Sequence, residues 1–185
     1  MILLRHGQSE FNLHFTATRR DPGIKDPKLT DLGHAQAKAA AEALAHEGIE
    51  RIIASPYTRA LQTAAPVAKR LGLPVTVTPL VGERYAFVCD IGSPATELRF
   101  AWPELDLTHI KEVWWPPIEE PAEQVIARAA LFRDEMAALG DAWQRALVVS
   151  HWGFILALTG TSVQNGNWIR YDPTQPAPPE IRWKH

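Results

Sequence analysis

Four basic side chains in this sequence suit one chemistry, the capture of a doubly charged anion, if the fold brings them together. Two of them, Arg5 and His6, follow Met1-Ile2-Leu3-Leu4, an apolar run that Gly7 and then polar residues end at once. Such a run reads as a short buried strand rather than the start of a helix. Cationic or polar groups at the end of a buried strand are costly to hold there without a partner. A phosphate compensates them best, because arginine grips it through strong, bidentate charge-assisted bonds. Taken alone, the pair reads as ordinary loop residues after a strand.

The other two basic groups lie far downstream. Arg51-Ile52-Ile53-Ala54 reads as a second buried strand and runs into Ser55-Pro56-Tyr57-Thr58-Arg59. Ser55 suits an N-cap and Pro56 a first helical position, with Leu61, Ala64, Ala65, Ala68 and Leu71 recurring at helical spacing. Arg59 then falls near the positive end of a helix, where anions are favoured. Ala146-Leu147-Val148-Val149-Ser150 is a third apolar strand, and it delivers His151. In open α/β sheets ligands gather at the strand ends, so these segments together point to one phosphate site.

Read together, the segments Leu4 to Asn12, Leu29 to Ala37, Ser55 to Ala64 and Val148 to Gly153 resemble the histidine phosphatase superfamily, which also holds the cofactor-dependent phosphoglycerate mutases. The resemblance implies a three-layer α/β/α, phosphoglycerate mutase-like fold and an enzyme working through a phosphohistidine. It makes His6 the nucleophile, which spacing alone does not distinguish from His151, and sets Arg5, Arg59 and His151 around the phosphoryl group. Asn12 and Gln8 resemble side-chain donors to the same phosphate, although each could also cap a loop. The proton donor implied is Glu83, since Leu80-Val81-Gly82-Glu83-Arg84 is similar to the family's acid-bearing segment. The residues after Glu83, Tyr85 to Asp90, depart from the family pattern, which leaves Asp90 as an alternative carboxylate. Trp152 stands where many relatives carry glycine; its ring either turns into the core or narrows the substrate mouth, where Arg84 is also expected.

The elements that must position these groups are legible in outline. Thr30 or Asp31 caps an alanine-rich helix running to about Glu47, with Gly48 beyond it. Val75 to Thr78 reads as a strand, and Ala122 to Leu139 as a helix burying Val125, Ala129, Phe132 and Met136. Glu83 to Pro117 reads as irregular, and residues 171–185 as a proline-rich, extended or poorly ordered tail. Alternating strands and helices give an α/β fold with a mostly parallel central sheet covered on both faces. The expected organisation is a single domain over residues 1–185.

Composition narrows the function classes. With 185 residues and a net charge of −2, the chain shows no run of like charges, so no nucleic-acid partner is expected. No apolar run approaches a membrane span and no leader is evident, so the expectation is a cytoplasmic protein with no membrane partner. Cys89 is the single cysteine, which excludes an internal disulfide and reads as a buried, inert thiol. His14, His34, His46, His109 and His185 show no metal-ligand spacing, and neither a metal nor a cofactor is expected.

Between Glu83 and Pro117 the only basic residues are Arg84, Arg99 and Lys111. Family mutases carry more basic residues after the acid to retain their intermediate, so a metal-independent phosphomonoesterase is expected. Its substrate would be a small phosphomonoester and its product inorganic phosphate. A mutase-type phosphoryl transferase and a weakly active phosphoprotein-binding module, using Trp102, Trp114 and Trp115 as a surface, are the alternatives.

Overall fold

Apolar residues alternate along the first strand between two faces that both need cover, and this sets the layering. In the computed structural model, which describes residues 1–183, Ile2 and Leu4 face one core while Met1 and Leu3 face the other. The expectation for His185 lies outside the described residues. Strands β1 (Ile2–Arg5), β2 (Arg51–Ala54), β3 (Val75–Val77), β4 (Ala146–Ser150) and β5 (Trp168–Arg170) form one sheet in the order β3-β2-β4-β1-β5. All neighbours are parallel except β5, which runs antiparallel to β1. Strands buried on both faces read as continuous apolar runs, as β1 and β4 do.

Helices α2 (Asp31–Ala43) and α3 (Thr58–Leu71) cover one face, where Ala40, Ala41, Leu61, Ala64 and Val67 pack against Ile2, Leu4, Ile52 and Val149. Helix α4 (Ala95–Ala101) adds Leu98 to the same side. Helices α5 (Ala122–Ala137) and α6 (Trp152–Thr159) cover the other, with the expected Val125, Ala129, Phe132 and Met136 all buried. This is the α/β architecture expected, with a mostly parallel sheet between helical layers. Helix α1 (Glu10–Thr18) follows β1 directly.

Several local expectations are corrected. Helix α3 begins at Thr58 rather than at Pro56; Ser55 Oγ takes only the Tyr57 N–H, weakly at 3.4 Å, and lies 2.8 Å from His151 Nε2. The Thr58 N–H is taken instead by Asp26 Oδ1, 32 residues away, at 2.9 Å. Helix α2 starts on its Thr30 cap as expected but stops at Ala43, four residues short of Glu47. The segment expected to be irregular holds α4 and a short 3-10 turn at Val88–Asp90. Beyond Tyr171 there is no helix or strand through residue 183, yet Ile181 and Trp183 pack against the α5–α6 core, so the tail is docked.

Two glycines set how closely the loop after β1 approaches α2. A Cβ on Gly7 would sit 2.4 Å from the Gly33 carbonyl oxygen, and one on Gly33 2.1 Å from that of Gln8. Neither contact tolerates a side chain, so these backbones meet only because both residues lack one.

Candidate active site

Strand register places the chemistry. Arg5 pairs with Ser150, and Ala54 with Val149, so β1, β4 and β2 end level with one another. His6, His151 and Ser55 follow at adjacent strand ends; the His6 N–H donates to the Ser150 carbonyl and the Ser55 N–H to that of Val149. A cavity of about 350 Å³ opens there, with Arg5, His6, Arg59 and Glu83 in its wall.

His6 is buried, and its Nδ1 lies 2.7 Å from the Gly7 carbonyl oxygen. A carbonyl only accepts, so Nδ1 carries the proton and Nε2 keeps a lone pair. Burial, then the charges of Arg59 and Arg5, hold the imidazole pKa well below its ordinary value. His6 is therefore neutral at neutral pH, the form a nucleophile needs.

The arginines are fixed by backbone carbonyls that leave donors over. Arg59 donates through Nη1 to the Cys89 carbonyl and through Nη2 to Asp90 Oδ1, while its guanidinium lies 4.5 Å from the Tyr57 ring centre. Arg5 donates through Nη1 to the Val163 carbonyl, and its buried Nε finds no hydrogen-bond partner among the described residues. Burial lowers the Arg5 pKa to about 10, which still leaves it charged.

His151 lies behind His6 rather than in the cavity wall, with ring centres 5.0 Å apart. Ser55 Oγ accepts weakly from the Tyr57 N–H at 3.4 Å and lies 2.8 Å from His151 Nε2. The other ring nitrogen, Nδ1, is fully buried with no partner among the described residues. Burial, followed by Arg59 and His6, depresses its pKa as well.

Glu83 is held at the start of α6. Its Oε1 accepts from the Arg84 and Gly153 N–H groups, both at 2.8 Å, which leaves Oε2 for other work. Burial, and then the nearby Asp90, raise its pKa to about 7 against the opposing pull of Arg59. Such a carboxyl exchanges a proton readily near neutrality. A Cβ on Gly153 would stand 2.5 Å from Oε1, so this approach requires glycine. Gly153→Ala should displace the carboxyl and slow turnover of an alkyl phosphate by about a hundredfold, with KM little changed. Steady-state kinetics on purified, folded variant checks this.

The remaining expected residues divide. Asn12 lines the cavity, and its Oδ1 accepts from Ser9 N and Oγ and from Asn165 Nδ2, so its own Nδ2 is the donor left over. Arg84 and Trp152 also line it. The Trp152 ring is mostly buried with Nε1 bonded to Ser162 Oγ, whereas Arg84 donates to the Glu120 carbonyl and lies over Trp183. Gln8 does not line the cavity: its N–H donates to Gln36 and its side-chain oxygen accepts from Thr30, tying the loop to α2. Asp90 also lines the cavity, but its carboxylate is committed to Arg59 through Oδ1 and to the Ala86 and Phe87 N–H groups through Oδ2. Cys89 is buried, its thiol pKa pushed far up by burial.

Sequence reasoning missed Asn165, whose Nδ2 also donates to the His6 carbonyl. Asn165-Gly166-Asn167 carries only a turn signal. It also missed the wall formed by Phe11, Phe15 and Phe87, with ring centres 5.1 to 5.3 Å apart. Among the described residues no group of three or more His, Cys, Asp or Glu side chains could hold a metal, and no helix is long and apolar enough to cross a membrane.

Known proteins resemble this chain in sequence and fold. The sequence profile of the histidine phosphatase superfamily (branch 1) matches residues 1–175. A glucosyl-3-phosphoglycerate phosphatase of Mycobacterium tuberculosis is 31% identical over 91% of this chain and 78% of its own length. A 2,3-bisphosphoglycerate-dependent phosphoglycerate mutase of Methylobacterium is 31% identical over 85% and 77%. The solved structure of a mycobacterial glucosyl-3-phosphoglycerate phosphatase with VO3 superposes with a TM-score of 0.64 at 27% identity, covering 91% of this chain and 90% of that one.

Proposed function

Because the chain belongs to the histidine phosphatase superfamily, we propose that it is a phosphomonoesterase for a small phosphorylated metabolite, with His6 as nucleophile and Glu83 as proton donor. The observation that carries the reading is the pairing in one cavity of a neutral, tautomer-fixed His6 with a carboxyl poised near pH 7. His6 Nε2 attacks phosphorus and the bond to the alcohol oxygen breaks, with Glu83 giving that oxygen its proton. Water then attacks the phosphohistidine as the carboxylate takes a proton from it, and the P–N bond breaks to free phosphate and restore His6. Arg5 and Arg59, with their unused donors, supply positive potential as charge builds on the equatorial oxygens, and His151 packs behind His6. The second half needs no further group, since the donor that has lost its proton is the base.

Beyond the phosphate-binding arginines the cavity wall carries two basic side chains, Arg19 and Arg84, among aromatic and polar residues. Arg99 is spent on the carbonyls of Leu107 and Ile110, so among the basic residues of the 83–117 segment only Arg84 reaches the cavity. Phenylalanine rings together with Ser162, Gln164 and Asn165 in the wall match an alcohol portion with an apolar face and hydroxyl groups. The glucosyl-3-phosphoglycerate phosphatases, similar over most of the chain, make glycosylated phosphate esters the first compounds to test. Assays with phosphoglycerate and its bisphosphate should show little interconversion beside hydrolysis.

The decisive experiment concerns the proton. Glu83 must enter the first step protonated, so kcat/KM for an alkyl phosphate should fall as pH rises through about 7. Glu83→Gln should remove that limb and slow alkyl phosphates by about 10²- to 10⁴-fold. The nitrophenol burst from p-nitrophenyl phosphate should change far less, because nitrophenolate leaves without a proton. Equal damage to both leaving groups would assign Glu83 to phosphate binding or structure instead.

A further inference from the structure

Arg128, on α5, does not line the substrate cavity, yet each of its five N–H groups has a partner. Nε and Nη2 bind the two oxygens of Glu120 at 2.8 and 2.7 Å, a bidentate pair. Nη1 donates to the carbonyls of Leu80 and Gly82, and Nη2 also to that of Glu83. Glu120, almost wholly buried, holds the next residues through its own backbone: its N–H donates to the Tyr85 carbonyl, and its carbonyl accepts from Arg84 Nε. The stretch Leu80 to Tyr85 is thus gripped at five points by one ion pair, and Glu83 lies inside it. The guanidinium is itself backed by the buried Phe154 ring of α6, at 5.5 Å.

We infer that Arg128 and Glu120 are positioning residues for Glu83, fixing the backbone from which its carboxyl reaches the cavity. The inference rests on Glu83 being the proton donor. The segment has little regular structure to hold it, only a 3-10 turn at Pro79–Val81, so side-chain donors substitute for a strand ladder. The contrast with Arg59 separates the two roles. Arg59 spends two bonds on the protein and faces the cavity with the rest, whereas Arg128 has none left for a ligand. Lysine cannot replace it, since three donors on a flexible stem match neither the planar carboxylate nor three divergent carbonyls.

The test compares leaving groups in Arg128→Lys and Glu120→Gln. Glu120→Gln keeps the backbone bonds and the side-chain size while removing the charge-assisted grip. Misplacing the donor should slow phosphoryl transfer from an alkyl phosphate by about a hundredfold in Arg128→Lys. KM and the p-nitrophenyl phosphate burst should stay close to wild type, and Glu120→Gln should show the same selectivity in weaker form. A purely structural role lowers the melting temperature without changing the ratio between leaving groups. An unchanged ratio in folded protein therefore overturns the inference. Should Arg128→Lys not fold, Glu120→Gln decides alone. Glu83→Gln is measured alongside: selectivity there without selectivity in the clamp variants sinks only the clamp, while its absence in Glu83→Gln removes the proton-donor reading and the clamp with it.

Discussion

Replacing His6 with alanine is expected to lower turnover of every phosphomonoester by roughly 10⁵- to 10⁶-fold, the scale of loss when a nucleophile is removed from a set that acts as a unit. The loss should not depend on the leaving group, because without Nε2 no covalent intermediate forms and a better alcohol does not help. In the unsubstituted protein, rapid quenching at alkaline pH with a labelled substrate should trap phosphate on His6, stable to alkali and labile to acid. The choice of His6 over His151 follows from geometry: His6 is in the cavity wall with a free Nε2, while His151 has its Nε2 on Ser55 and lies behind. His151→Ala should therefore slow phosphorylation yet leave label on His6. Label on serine or aspartate, or a persistent burst in His6→Ala, would end the account of covalent histidine catalysis.

What the sequence made legible is what local physics decides. The buried runs of β1, β2 and β4 stand out because strands covered on both faces are apolar throughout, and their ends carry the basic residues into one place. Helix α6 escaped notice for the same reason: Trp152 to Leu158 is buried all round, and a short apolar run after a strand shows no helical period. Helix α1 was hidden by the opposite defect, since only Phe11 is buried and Leu13 lies 50% exposed. The β5 strand is three residues long and pairs only along β1, too short to leave a pattern.

Two polar residues are drawn into contacts across the fold that nothing local announces. Ser55 Oγ accepts from the Tyr57 N–H, yet it also lies 2.8 Å from His151 Nε2. Gln8 meets Gln36 through its backbone N–H and Thr30 through its side-chain oxygen, which turns it toward α2 and away from the cavity. Capping propensity is a weak preference of about 1 kcal/mol, comparable with one tertiary hydrogen bond. Arg128 shows the same, since nothing local to α5 marks it out from an ordinary solvated helix arginine.

Arg59→Met should produce the second large effect, and in two separable parts. Loss of donors aimed at the phosphoryl group should cost about 10²- to 10³-fold in kcat. The substitution also strands Asp90, a buried carboxylate 3.1 Å from Nη2, and breaking a buried pair from one side costs about 3–5 kcal/mol. Burial already raises the Asp90 pKa, with Arg59 the largest influence holding it down. Removing the arginine raises it further, so the folded variant takes up a proton more readily than the unfolded chain does. The sign follows: the added instability is complete above the folded pKa of Asp90 and fades as pH falls below it. Urea unfolding should find the variant weakened more at pH 8 than at pH 5. Adding Asp90→Asn removes the stranded charge, keeps the acceptor for the Ala86 or Phe87 N–H, and should restore much of the stability without restoring activity. Recovery of turnover in that double variant would mean that Arg59 serves the fold rather than the phosphate, because only a structural role is repaired by neutralising Asp90.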